Sequence, residues 1–371
     1  MGRGSFSIGS IAGIRIALHP SWLVIAFLVT YSLAVGDLPD RFPLWEPALY
    51  WAVAAGVAAL FFASVLAHEL SHALVARRFD IKVSDITLFV FGGAASLEGD
   101  ARTPRQEALI AFAGPLCSLL IGGALYGVDV LVGQPQVAAL VAWLAFINLS
   151  LGIFNLFPGF PMDGGRLLRA LLWKVRGDQF SATRSAAMVG RGFGYLLIAG
   201  GVFIAFQTGG LFSGIWLALI GWFITTAAEA TVAQVSVQRT LRGVRVRDVM
   251  EPEPASVSPN EPVVELVNER LMRGDGRSFL VRHDDGGLAG IVTLTDVRRV
   301  SREEWSHARV TDIMTRFNDL VVARPEDELD DALERLQARE VNQLPVVDED
   351  GRTVVGLLTR AGILRLIDTR M

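Results

Sequence analysis

The chain of 371 residues has one cysteine, Cys117, and only five histidines and two lysines. A lone thiol excludes an intrachain disulfide and any zinc site built from several cysteines. Cys117 stands in an apolar helix beside Gly114-Pro115 and reads as a small packing residue. Arginine carries almost all the positive charge, no basic block is long enough for a nucleic-acid arm, and the formal net charge is −4. Nucleic acid is therefore not an expected partner. Charge is scarce altogether, at 19% of residues against 51% hydrophobic, which is too apolar for an ordinary soluble enzyme. The scarcity is uneven. Residues 1–235 hold the long apolar runs, whereas 236–371 are dense in Arg, Asp and Glu. A bilayer-embedded domain over 1–235 joined to a soluble one over 236–371 is the expectation.

What is present begins with length. Six apolar runs, at 22–35 and roughly 48–75, 106–131, 136–157, 187–206 and 210–232, approach the span of a bilayer core. The first is short and preceded by arginines, as a secretory signal would be. No clear small-x-small cleavage site precedes a soluble mature domain, so a membrane helix is the better reading. Arg77, Arg78, Lys82, Arg102 and Arg105 fall between the second and third runs, and Arg166, Arg169, Lys174, Arg176 and Arg184 between the fourth and fifth. The opposite loops hold only Arg41, beside Asp37, Asp40 and Glu46. The positive-inside rule then predicts a multi-pass cell-membrane protein with both termini cytoplasmic. Before the first run, Ile14, Ile16 and Leu18 alternate with Arg15, Ala17 and His19, the pattern of a short strand.

The second run ends in Ala67-His68-Glu69-Leu70-Ser71-His72. His68 and His72 are four apart, so on a helix both imidazoles leave one face and can grip one ion. Glu69, one step round, can reach a water on that ion without being a ligand. This H-E-x-x-H spacing supplies two neutral imidazoles for zinc and a carboxylate as general base. A charged, helix-ending surface patch is the plainer reading, but no charge occurs in 51–67 just before it. Ionisable clusters in such segments are costly and usually functional.

Val83 to Leu97 are too few for two helical spans and carry β-branched and aromatic residues around Gly92-Gly93. They predict a hairpin turning at that pair. Dipping beside the metal as a re-entrant hairpin, it would offer an edge strand, with Gly92 and Gly93, to an extended substrate. A plain cytoplasmic hairpin is the alternative. After the fourth run, Pro158 and Pro161 stop the helix and Gly164-Gly165 permits a tight backbone. Asp163 then lies near the depth of the histidines. Two histidines need a third protein ligand to leave a fourth position for water, and Asp163 is the choice; a helix cap is its plainer role. Asn148 and Asn155, seven apart on one face, suit a substrate backbone or an oxyanion, or else buried helix-to-helix hydrogen bonds.

The histidine motif, the Gly-Gly hairpin, Ala113-Gly114-Pro115 and Asn155-x-x-Pro158-x-x-Pro161-x-Asp163-Gly164-Gly165 together resemble the site-2 protease family of intramembrane zinc metalloproteases. The resemblance covers about 15–235 and implies His68, His72 and Asp163 as zinc ligands and Glu69 as base. Met162 stands where the family often has leucine, a mild departure. The resemblance also implies a regulatory role, the release of a membrane-tethered factor such as an anti-sigma or pro-sigma protein.

In the tail, Val246-Arg247-Asp248-Val249-Met250 recurs as Val310-Thr311-Asp312-Ile313-Met314. Gly290-Ile291-Val292-Thr293-Leu294-Thr295-Asp296 recurs as Gly356-Leu357-Leu358-Thr359-Arg360-Ala361-Gly362. Two similar α/β units, about 244–303 and 308–371, are expected to pack as a pair. They resemble a tandem cystathionine-β-synthase (CBS) domain pair, a module that often binds adenosine nucleotides. By that resemblance Thr293 and Asp296 meet phosphate and ribose, while Gly362 replaces the aspartate in the second unit. A pair that only forms a homodimer through the CBS domains, or docks substrate, is the alternative.

The sequence therefore predicts a polytopic α-helical membrane protein with six transmembrane helices and a re-entrant β-hairpin, plus a soluble α/β CBS pair. The expected chemistry is zinc-assisted peptide hydrolysis in or near a membrane segment, with Glu69 taking the water proton. A CBS-gated transporter or channel is the rival. It would need polar residues along several spans, whereas here the ionisable groups gather at one depth.

Overall fold

The computed structural model describes residues 4–370 except 91, 132–133, 208–209, 274–275, 284–285 and 352. The chain divides into two compact units, residues 1–235 and 236–371.

The first unit opens with strands β1 (Phe6–Ile11) and β2 (Ile14–Leu18). His19 then caps α1 (Pro20–Tyr31), its Nδ1 accepting from the Ser21 amide at 3.2 Å. A π-helical turn, Ser32–Asp37, carries α1 into α2 (Leu38–Arg41). Next come α3 (Pro47–Arg77), β3 (Lys82–Phe89), β4 (Gly92–Glu98) and α4 (Pro104–Leu131). They are followed by α5 (Pro135–Asn155), α6 (Asp163–Arg176), α7 (Gln179–Gln207) and α8 (Leu211–Leu241). Among the described residues six helices are long and apolar enough to cross a membrane: Pro20–Arg41, α3, α4, α5, α7 and α8. Their outer faces leave Leu120, Phe203 and Phe206 64%, 61% and 86% exposed, a surface suited to lipid rather than water. Helix α7 starts at Gln179 and α8 runs to Leu241, both longer than their apolar runs. Apolarity marks the lipid-buried length, whereas backbone hydrogen bonding can continue through polar residues beyond it. Helix α5 stops at Asn155 because Pro158 disfavours helical backbone just ahead of it.

The four strands form one sheet in the order β1-β2-β3-β4, with β2 and β3 parallel and the outer pairs antiparallel. The expected strand is β2, and the hairpin is extended by it and by β1 into a sheet. Ile14, Ile16, Ile86 and Leu88 bury one sheet face against Val65 and Ala73 of α3. One expectation fails. Gly92 and Gly93 are not the turn but the first residues of β4, paired with Phe89 and Leu88. Val90, before them, is in a turn, and residue 91 lies outside the described residues. Gly92 has φ of +131°, a conformation that favours glycine. Glycines also set the helix packing. A side chain on Gly201 would strike the Gly214 carbonyl, and one on Gly221 the Gly194 carbonyl, so α7 and α8 approach along a small-residue seam.

In the second unit β5 (Ser256–Val257) leads to α9 (Val263–Glu265), which continues as the π-helical turn Leu266–Leu271. Strands β6 (Ser278–Arg282) and β7 (Leu288–Thr293) precede α10 (Leu294–Val297). Then follow α11 (Val310–Ile313), β8 (Thr315–Arg316), α12 (Leu329–Ala338), β9 (Gln343–Val347), β10 (Val354–Thr359) and α13 (Arg360–Arg370). The repeat is visible in its turns. Asp248 accepts the Arg245 amide at 3.0 Å and Asp312 the Arg309 amide at 2.9 Å. The two repeats interlock. Glu251, opening the first, bridges Leu357 of β10, and Thr315, opening the second, pairs with Ile291 of β7. Leu280, Leu288 and Ile291 of one repeat and Val347, Val354 and Leu357 of the other share a buried core.

Candidate metal centre and active site

Helix α3 presents His68 and His72 from one face, 4% and 7% exposed. Asp163 is the first residue of α6, and Met162, not Asp163, occupies the cap position. The helix-cap reading of Asp163 is thereby set aside. Gly164 and Gly165 bring this aspartate close by being small. A side chain on Gly164 would strike the Leu156 and Phe157 carbonyls, and one on Gly165 the peptide joining Gly159 to Phe160. The first turn of α6 thus seats against the end of α5.

The result is a three-donor cluster. Asp163 Oδ2 lies 3.2 Å from His68 Nε2 and 3.2 Å from His72 Nε2, and the two Nε2 atoms are 3.2 Å apart. Tetrahedral ligands about 2.0–2.1 Å from a zinc ion stand about 3.3 Å from each other. The protons also fit. His72 Nδ1 faces the Ile110 carbonyl at 2.7 Å, an acceptor only, so in the neutral ring the proton is on Nδ1 and the Nε2 lone pair points into the cluster. His68 Nδ1 is 2.9 Å from Ser118 Oγ, which can accept in the same way. Two lone pairs and a carboxylate oxygen converging without a shared proton for each pair call for a cation. Gly114 supplies the room, because a side chain there would run into both Nε2 atoms. The donor set, spacing and cradle fit zinc.

Glu69, beside the ligands on α3, packs its side chain against Gly93. A Cβ at Gly93 would lie 2.9 Å from Glu69 Cδ and 3.1 Å from Oε1. No hydrogen bond is made to the Glu69 carboxylate among the described residues, which leaves its oxygens open to a water. Strand β4, where Gly93 sits, is an edge of the sheet.

Three neighbours were not foreseen from sequence: Ser118 and the Ile110 carbonyl behind the histidines, and Glu107 behind α6. Glu107 is 1% exposed and its Oε1 accepts from Arg166 Nε at 2.9 Å and from Arg169 Nη2 at 2.5 Å. Burial opposes the charge on Arg166, but Glu107, then Asp163 and Asp100, raise its pKa overall. The only signal in the sequence is a polar residue interrupting an apolar run, and partners 38 to 62 residues apart leave no local pattern.

Asn148 and Asn155 are not hydrogen-bonded to this cluster. Their Nδ2 atoms donate to carbonyls in their own helix, Leu144 at 2.8 Å and Leu151 at 3.1 Å. Asn148 Oδ1 is buried without a partner among the described residues. In the second unit the Thr293 amide and Oγ1 both donate to Asp296 Oδ2, at 2.9 and 2.7 Å, closing a capping box on α10. A cleft of about 740 Å³ in that unit is walled by Arg277, Arg298, Arg302 and Trp305, and neither Thr293 nor Asp296 lines it.

Six membrane-competent helices, together with a His-Glu-x-x-His and aspartate cluster, define an intramembrane metallopeptidase. The Peptidase family M50 profile matches residues 56–135 and 130–199, and the CBS domain profile matches 246–303 and 310–369. A Mycobacterium tuberculosis H37Rv protein named zinc metalloprotease Rip3 is 42% identical over 99% of this chain and 93% of its own length. A Synechocystis protein named zinc metalloprotease sll0528 is 34% identical over 98% of this chain and 95% of its own. Among solved structures, the site-2 protease of Methanocaldococcus jannaschii is 31% identical, covers 62% of this chain and 95% of its own, and aligns with a TM-score of 0.45. The chain belongs to the M50, or site-2 protease, family of membrane zinc metalloproteases and carries a tandem CBS pair.

Proposed function

We propose that His68, His72 and Asp163 hold the zinc ion and that Glu69 is the general base for hydrolysis of a peptide bond in or beside the bilayer. The observation that carries this reading is the convergence of the three donor atoms at 3.2 Å spacing, with the Glu69 carboxylate open beside them. Zinc, when bound, supplies Lewis acidity to a water and to the scissile carbonyl. Glu69 takes a proton from the attacking water as its oxygen bonds to the carbonyl carbon. As the carbon–nitrogen bond breaks, Glu69 returns that proton to the leaving amine. The free edge of β4, beginning at Gly92 and Gly93, holds the substrate as an added strand, and backbone hydrogen bonds fix it in register.

The substrate is a membrane-tethered protein whose helix unwinds to reach that edge, because helical peptide groups are tied up in intrahelical bonds. An anti-sigma or pro-sigma factor released to the cytoplasm fits that chemistry. The arginine-rich loops support a cytoplasmic location for both termini and for the metal-bearing end of α3. The CBS pair regulates through an adenosine nucleotide at Thr293 and Asp296, or joins two copies of the chain. The test is cleavage of a membrane substrate by purified protein beside Glu69→Gln, with zinc measured in both. Cleavage lost with zinc retained supports the assignment. Equal cleavage by both, or no zinc in either, overturns it.

A further inference from the structure

We infer that one face of α4 is the template that orients all three metal donors, with Glu107 and Ser118 as positioning residues. Glu107, Ile110, Gly114 and Ser118 follow one another at spacings of three, four and four, so they share one stripe of the helix. All four are buried. Each serves a different part of the centre. Ser118 Oγ meets His68 Nδ1 at 2.9 Å, and the Ile110 carbonyl takes His72 Nδ1 at 2.7 Å. Gly114 leaves the space in front of both Nε2 atoms. Glu107 binds Arg166 and Arg169, one and two turns on from Asp163 in α6, and so ties that helix to the same stripe.

Two features make the stripe suited to this. Pro115, inside α4 beside Gly114, has no N–H to give the Ala111 carbonyl, so the ladder of backbone hydrogen bonds lacks one rung next to the stripe. The Glu107 clasp is also geometrically demanding. Both guanidinium groups meet the same carboxylate oxygen, and the Arg169 guanidinium lies 5.5 Å from the Phe160 ring centre, in the loop leading to Asp163. Partners behind metal ligands fix ring tautomer and ligand direction. Here the ligands come from two helices, α3 and α6, and α4 is the element that both touch through their donors' own supports.

The inference rests on His68, His72 and Asp163 being the zinc ligands, and the experiment separates the two claims. Full-length protein in detergent is prepared as wild type, Ser118→Ala, Glu107→Gln, His72→Ala and Asp163→Ala. Zinc affinity is read by chelator competition, and the visible spectrum is recorded after cobalt substitution. Ser118→Ala and Glu107→Gln are expected to weaken zinc by about 10–100-fold, alter the cobalt spectrum and leave substrate KM unchanged, with Glu107→Asp recovering part of the loss. Should Glu107→Gln not fold, Arg169→Lys replaces it, keeping the charge while breaking the fork. A folded Ser118 or clasp variant with wild-type zinc affinity and cobalt spectrum overturns the inference. If His72→Ala and Asp163→Ala also bind zinc normally, the ligand assignment itself fails.

Discussion

Two glycines give the sharpest tests at the scale of single residues, because each keeps a named functional atom in place by having no side chain. A methyl group at Gly114 would collide with both His Nε2 atoms. Gly114→Ala should therefore lose zinc, and activity with it, while the helix gains propensity from alanine; zinc content of the purified variant decides. At Gly93 the methyl would run into the Glu69 side chain. Gly93→Ala should keep zinc and lower kcat by about 10²-fold, the scale of a roughly 1 Å misplacement of a reacting group. A variant with unchanged kcat would show that Glu69 can move aside freely. These positions also mark what could be read from sequence. His68, Glu69 and His72 were legible because a helix converts their spacing directly into a shared face. Gly93 was legible as a glycine that mattered but misplaced as a turn, since its demand comes from a side chain 24 positions earlier in the chain, in another element.

Among secondary-structure elements, the long apolar helices were read well and their ends less so, since apolarity reports lipid contact and not capping. The sheet was read only in part. Strand β1 is exposed along its whole length, so it lacks the alternation that reveals β2. The parallel pairing of β2 with β3 joins residues 70 apart in sequence, Arg15 with Asp85, beyond the reach of any local pattern. The edge position of β4 makes a prediction about the substrate rather than the enzyme. An extended segment must be released from a helix before it can pair there. Each Ala→Gly change in the substrate helix near the cut lowers helix stability by about 1 kcal/mol. If unwinding precedes cleavage, one such change should raise kcat/KM by about 5-fold, and a leucine at the same place should not. Measured rates on a graded series of substrates test this, and rates indifferent to helix stability would mean the substrate arrives already unwound.

Seen as a whole molecule, the chain joins a proteolytic unit to a paired α/β unit whose two halves are alike in fold but unlike in chemistry. In the first repeat Asp296 Oδ2 accepts from Thr293, closing the cap of α10. In the equivalent place of the second repeat Thr359 Oγ1 accepts the Gly362 amide at 3.0 Å and no carboxylate is present. A ribose needs acceptors for its hydroxyls, and a glycine offers none. If the pair takes an adenosine nucleotide, the asymmetry predicts one nucleotide per chain, not two, measurable by calorimetry on the full-length protein. Asp296→Asn keeps a carbonyl oxygen for the cap but loses the charge and one hydroxyl-accepting oxygen, so it should weaken binding without unfolding the repeat. The cleft walled by Arg277, Arg298, Arg302 and Trp305 offers a competing anion site that excludes Asp296. Binding that survives Asp296→Asn and falls with Arg298→Ala would move the nucleotide there. Binding lost in Asp296→Asn alone would tie recognition to the residue that distinguishes the two halves, and would leave the second repeat as the structural partner whose strands complete the shared core.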